Sequence, residues 1–192
     1  MTSLPYNLFL ARRAINYVNN KIQVISPNRL PTETNEQKDL KKELERRLEN
    51  RRNAADLRAD AVSGNIFTRN KIRTIMLLTN ASTIESKIGN CGEKAILAFY
   101  YLKMQQVEPL ELFDASMGEA ADDYHTFVVI GRTRGIETDP STWNHETVVC
   151  DPWAEQVYPS YSYNSHAQFT GELILIYRQG PNISQHVPYH LL

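Results

Sequence analysis

The sequence predicts an α+β protein in which a helical N-terminal half packs on an antiparallel sheet. Apolar residues recur at helical spacing through the first half of the chain, whereas runs rich in β-branched and aromatic residues appear only after residue 110. At 192 residues and 42% hydrophobic composition, the chain is long enough for one complete core and too short for two full-sized domains. Residues 1–80 therefore read as a helical region, part of the same domain or an appendage to it, and residues 81–192 as the core that carries the chemistry.

In order, residues 5–25 place Leu8, Leu10, Ala11, Ile15, Val18 and Ile22 on one helical face, with Pro5 suited to a first turn. Residues 26–34, with Pro27 and Pro31, read as a connector. Residues 36–62 form a densely charged helix whose sparse apolar positions are Leu40, Leu44, Leu48, Ala55 and Leu57, with Glu43 and Arg47 as a favourable pair. A solvated helix held by one leucine stripe is the reading this pattern favours over a partner-binding helix. Ser63-Gly64-Asn65 breaks it, residues 67–78 start another helix, and residues 79–88 read as a polar approach to Cys91. Gly89-Asn90-Cys91-Gly92-Glu93 then opens an apolar helix running to Leu102.

Beyond it the character changes. Residues 111–114 are strand-like, and residues 117–123 form a small acidic loop. Tyr124-His125-Thr126-Phe127-Val128-Val129-Ile130 is a strand stopped by Gly131; Thr147-Val148-Val149-Cys150-Asp151 is a second, ended by Pro152; residues 156–158 extend the meander; and residues 172–178 form a last strand.

Composition excludes several functions. A net charge of -1, without a basic stripe interleaved with aromatics, argues against nucleic acid. No run approaches the roughly 18 to 20 apolar residues of a membrane span, and no signal peptide is evident, since Arg12 and Arg13 interrupt the apolar start. Two cysteines form no disulfide framework, and their separation, with no CxxC pair and with the two expected on opposite faces, does not meet the usual zinc-ligand spacing. No phosphate-binding glycine motif occurs, so neither metal nor cofactor is expected.

What remains is a nucleophile constellation. A thiol at a helix N-terminus meets unpaired N–H groups and the positive end of the helix dipole, which stabilise the thiolate. A thiol nucleophile needs a base and usually a group that orients the base. Cys91 opens a helix, His125 opens one strand and Asp151 closes the next. If those strands pair antiparallel, His125 can lie opposite Asp151 at a Cβ separation of roughly 4.5 to 5.5 Å. Alternation then turns Cys150 into the core, which argues against a Cys91–Cys150 disulfide. His145, His166, His186 and His190, in loops or near the C-terminus, are weaker candidates for the base.

These motifs, GNCGE before an apolar helix, then HTFVVI, then Trp143 leading to VVCDPW, resemble the transglutaminase-like branch of the papain-like cysteine enzymes. Their wording is also similar to that of secreted effectors from intracellular bacterial pathogens such as Legionella. The resemblance covers residues 90–158 and implies a papain-like core with Cys91 as nucleophile, His125 as general base and acid, and Asp151 as the orienting carboxylate. It implies an oxyanion met by the Cys91 N–H and one further donor, for which Asn90 and Asn80 are candidates, and an acyl site that Trp153 lines. The activity implied is attack on a carboxamide of a protein substrate in a host cell, with glutamine deamidation or transglutamination ahead of proteolysis, and delivery by a signal-less route. An inactive version of the fold, serving as a protein-binding module, is the alternative; a regulatory protein partner is a further expectation.

Overall fold

The structure is a computed structural model describing residues 3–63, 69–116, 124–169 and 171–181. Its architecture is α+β: helices come first, followed by a five-stranded antiparallel sheet of order β4-β3-β2-β1-β5. The strands are β1 (Leu110–Ser116), β2 (Tyr124–Ile130), β3 (Val148–Asp151), β4 (Gln156–Pro159) and β5 (Leu173–Gln179). Pro152 ends β3 as expected, because it has no N–H to give to a ladder. The acidic loop and residues 64–68, which include most of the predicted helix break, lie outside the described residues.

Helix α1 (Leu4–Asn16) starts at Ser3, whose hydroxyl accepts from Tyr6 N at 3.4 Å, with Pro5 in the first turn. The predicted single helix to residue 25 instead widens into a π-helical segment over Tyr17–Ile22 and stops at Gln23, in the left-handed conformation at φ 63°. Helix α2 (Asn35–Ser63) buries Leu48, Ala55 and Ala59. Leu40 and Leu57, expected on the buried stripe, are 55% and 70% exposed. Glu43 pairs with Arg46 rather than Arg47, because the guanidinium fork three residues on spans both carboxylate oxygens at 2.9 Å.

Helix α3 (Arg69–Ser86) runs on through most of the stretch read as a polar approach. The serines there do not break it: Ser82 and Ser86 donate their hydroxyls to Thr79 O and Ser82 O within the same helix. Helix α4 (Cys91–Met104) buries Ala95, Leu97, Ala98, Phe99 and Leu102.

Strand alternation divides the interior between the two faces of the sheet. On the helical face, Leu112, Val128, Ile130, Val148 and Cys150 meet Leu10, Ala11 and Ala14 of α1 and Ala98, Phe99 and Leu102 of α4. On the other face, Phe113, Phe127, Val149 and Leu173 pack with Trp143, Tyr158 and Tyr163, the last in the short helix α5 (Tyr163–His166). The buried Glu111 carboxylate accepts from Arg132 at 2.5 and 2.7 Å and from Arg178 at 2.5 Å, tying β1, the end of β2 and β5 together. The Arg132 guanidinium also lies 5.5 Å from the Phe113 ring and 5.4 Å from that of Trp143. Among the described residues, no helix is long and apolar enough to cross a membrane.

Removing a buried carboxylate that holds two cations leaves those charges uncompensated. Glu111→Ala is expected to lower the unfolding free energy by about 3 to 5 kcal/mol, read by urea denaturation; a loss under about 1 kcal/mol would mean that the arginines find other partners.

Candidate active site

The segment before Cys91 is fixed by the connector read from the N-terminal half. Ile25 N donates to Lys87 O and Gly89 N to Ile25 O, both at 2.9 Å, and Ser26 Oγ donates to Gly89 O at 3.0 Å. Gly89 is required here: a Cβ on it would stand 2.3 Å from Glu93 Cβ. Asn90 caps α4, and its backbone N–H donates to Glu93 Oε2 at 2.9 Å, one arm of a capping box. The Asn90 side-chain oxygen accepts from Asn28 N at 3.4 Å.

Glu93 is 5% exposed, and Arg52 of α2 grips both of its oxygens at 2.7 and 2.8 Å. This hydrogen bonding outweighs burial and raises the Arg52 pKa. The neighbouring Arg51 donates to Ile88 O at 3.0 Å and Ser82 O at 3.3 Å. The charged helix thus braces the cysteine turn as well as facing solvent. Spacing alone could not show this, since a charge-dense helix names no partner outside itself.

Cys91 is half-buried and unbridged, with Sγ donating to Tyr124 O at 3.7 Å. The backbone N–H groups of Cys91 and Gly92 have no acceptor among the described residues, so two donors stand open at the helix start. His125 is 4% exposed, and its Nε2–H donates to Asp151 Oδ2 at 2.5 Å. The other carboxylate oxygen, Oδ1, accepts from Trp153 N at 3.0 Å and Ala154 N at 2.9 Å, so the turn after β3 aims Asp151 at the ring. The Cys91 side chain lies close enough to the imidazole to favour its charged form. With Nε2 committed to the carboxylate, Nδ1 is the nitrogen left for sulfur. Burial disfavours the imidazolium, but the hydrogen bond with Asp151 and the nearby Cys91 outweigh it and push the His125 pKa up to about 9.

The three residues singled out in sequence therefore converge, with one difference in geometry. The ladder pairs Val128 with Cys150 and Ile130 with Val148. Asp151 thus lies across from Phe127 and diagonal to His125, not opposite it. A diagonal neighbour is farther at the backbone, which the lengths of an imidazole and a carboxylate span. Cys150 faces the helical core and donates to Ala11 O at 3.6 Å, and burial raises its pKa strongly.

Aromatic rings enclose the imidazole: Phe169 at 4.7 Å, Trp153 at 5.4 Å and Phe127 at 6.4 Å between centroids. Trp153 therefore lies at the site. Trp143 does not: it is core, donating its indole N–H to Ile136 O at 2.6 Å. Asn90 sits at the cysteine turn, whereas Asn80 lies within α3, its amide oxygen buried with no hydrogen-bond partner among the described residues. Two residues not singled out in sequence complete the frame. Asn19 of the π-helical segment donates to Pro152 O at 2.8 Å and accepts from Lys94 Nζ at 2.9 Å. Arg29 stacks 4.8 Å over Trp153 and donates to its carbonyl at 2.5 Å. Only the general association of π-helical turns with functional sites could have pointed to Asn19.

Compared with known proteins, the chain matches no family model, no curated protein and no solved structure.

Because the folded-state pKa of His125, about 9, lies above the ordinary 6.5, its contribution to stability is complete below pH 6.5 and is lost as pH rises through about 9. The stability difference between the wild type and His125→Gln, measured by urea denaturation, is expected to be constant below about pH 6.5 and to shrink by on the order of 3 kcal/mol by about pH 10. A difference that grows with pH would reverse the assignment of the ring as imidazolium.

Proposed function

We propose that the chain is a thiol acyl-transfer enzyme acting on a carboxamide of a protein substrate, glutamine deamidation or transglutamination being favoured over proteolysis. The observation that carries this reading is the His125 imidazole bonded to the doubly anchored Asp151, with Cys91 Sγ held on the carbonyl of the adjacent Tyr124 at a helix start with open N–H donors. The reading includes a papain-like arrangement of the core, and the motif wording adds a host protein as target and delivery by a signal-less route.

The chemistry runs as follows. The Cys91 thiolate attacks the carboxamide carbon, forming a C–S bond, and the carbonyl electron pair moves to oxygen as the oxyanion. The N–H groups of Cys91 and Gly92, open at the helix start, are the donors this reading assigns to that charge. The oxyanion collapses, the C–N bond breaks, and His125 gives its proton to the departing nitrogen, releasing ammonia and leaving a thioester. Water then attacks the thioester as His125 takes its proton, giving a carboxylate and restoring the thiol; an amine acceptor gives an isopeptide product instead. Asp151 holds the ring and its charge throughout.

Iodoacetamide is expected to alkylate Cys91 at least tenfold faster than Cys150 in the native protein, and His125→Ala to remove that advantage, as peptide mass spectrometry would show. With a glutamine-containing protein substrate, ammonia release should vanish in Cys91→Ala. Asp151→Asn should reduce it by about 10³ to 10⁴, the order seen when a triad base loses its orienting carboxylate. Equally slow labelling of both thiols would favour the binding-module reading.

A further inference from the structure

Next to the triad lies a cavity of about 370 Å³ whose walls include Ser26, Arg29, Leu30, Lys94, Ala154 and Glu155. Two of these residues connect it to the site. Ala154 N donates to Asp151 Oδ1, and Arg29 covers the same Trp153 indole that lies 5.4 Å from His125.

The charge in the cavity is unbalanced. Lys94 is only 5% exposed, yet one neutral acceptor, Asn19 Oδ1, is its sole hydrogen-bond partner among the described residues. An ammonium group has three donors, so two remain unused. Arg29 spends one donor on the Trp153 carbonyl and forms no ion pair among the described residues. Glu155 shares the rim, exposed and in the left-handed conformation at φ 60°, and is not within ion-pair distance of either cation. Burial lowers the Lys94 pKa, with Glu155 and Asp151 opposing that shift and Arg29 adding to it. A buried ammonium with no carboxylate at ion-pair distance is costly, and an anion entering the cavity would relieve that cost. The planar Arg29 fork suits a carboxylate in particular.

We propose that this cavity is a subsite for a carboxylate side chain of the polypeptide substrate, so that the carboxamide attacked by Cys91 lies near an aspartate or glutamate of the target. What the subsite serves rests on the acyl-transfer reading; the binding itself does not.

Fluorescein-labelled oligoglutamate and oligolysine peptides, titrated into the full chain carrying Cys91→Ala and followed by anisotropy, test it directly. Saturable binding of oligoglutamate alone is expected. Arg29→Gln and Lys94→Met should each weaken it by on the order of tenfold, and Glu155→Gln should tighten it. Arg29 is exposed, so its replacement tests the site even if the Lys94 variant fails to fold. Oligoglutamate binding that ignores Arg29→Gln, or equal binding of oligolysine, would overturn the proposal. So would displacement by inorganic phosphate as readily as by unlabelled peptide, which would assign the cavity to a free anion. Iodoacetamide reactivity of Cys91 separates the two readings. A reactive thiol without oligoglutamate binding removes the subsite alone, and binding beside an inert thiol removes the enzyme reading alone.

Discussion

The Glu93 carboxylate is the constraint on which the arrangement depends. It is buried, it caps the backbone N–H of Asn90, and the Arg52 fork holds it from another helix. A capping box sets where a helix begins, and here that beginning is Cys91. Fixing the first turn of α4 fixes Cys91 against the start of β2, and the position of the thiol beside His125 follows. The glycine at 89 belongs to the same constraint, because only a residue without Cβ lets the chain pass so close to Glu93.

The site draws on the whole chain. Its thiol comes from the start of α4, its histidine from the start of β2 and its carboxylate from the end of β3. Its supports come from the π-helical segment, the connector and α2. Most of these supports are hydrogen bonds to backbone carbonyls: Asn19 to Pro152, Arg29 to Trp153 and Arg51 to Ile88. Such bonds fix the path of a turn and leave the side chains at the centre free for chemistry.

Local signals made the fold class and the central residues legible. Proline ended β3, glycine ended β2, and β-branched runs marked the sheet, each acting through its own backbone preference. The cysteine turn stood out because a cysteine, flanking glycines and an apolar helix coincide within a few positions. What stayed hidden depends on contacts between distant segments. The length of α3 was masked because serine and threonine read as loop formers, although in this helix their hydroxyls turn back onto its carbonyls. Leu57 looked like core by composition and proved exposed, while Ala59 took the buried position. Periodicity in a charge-dense helix leaves its phase ambiguous. The roles of Arg52, Asn19 and Arg29 were not readable at all, because nothing near them in sequence names their partners.

The alternation along β3 has a consequence for misfolding. Asp151 faces the imidazole and Cys150, its immediate neighbour, faces the opposite core. A slip of β3 by one residue would exchange the two across the sheet. The histidine would then face a sulfur in place of its carboxylate. The hydrophobic residues that set the β2–β3 pairing, Val128 with Cys150 and Ile130 with Val148, therefore also decide which side chain meets the imidazole.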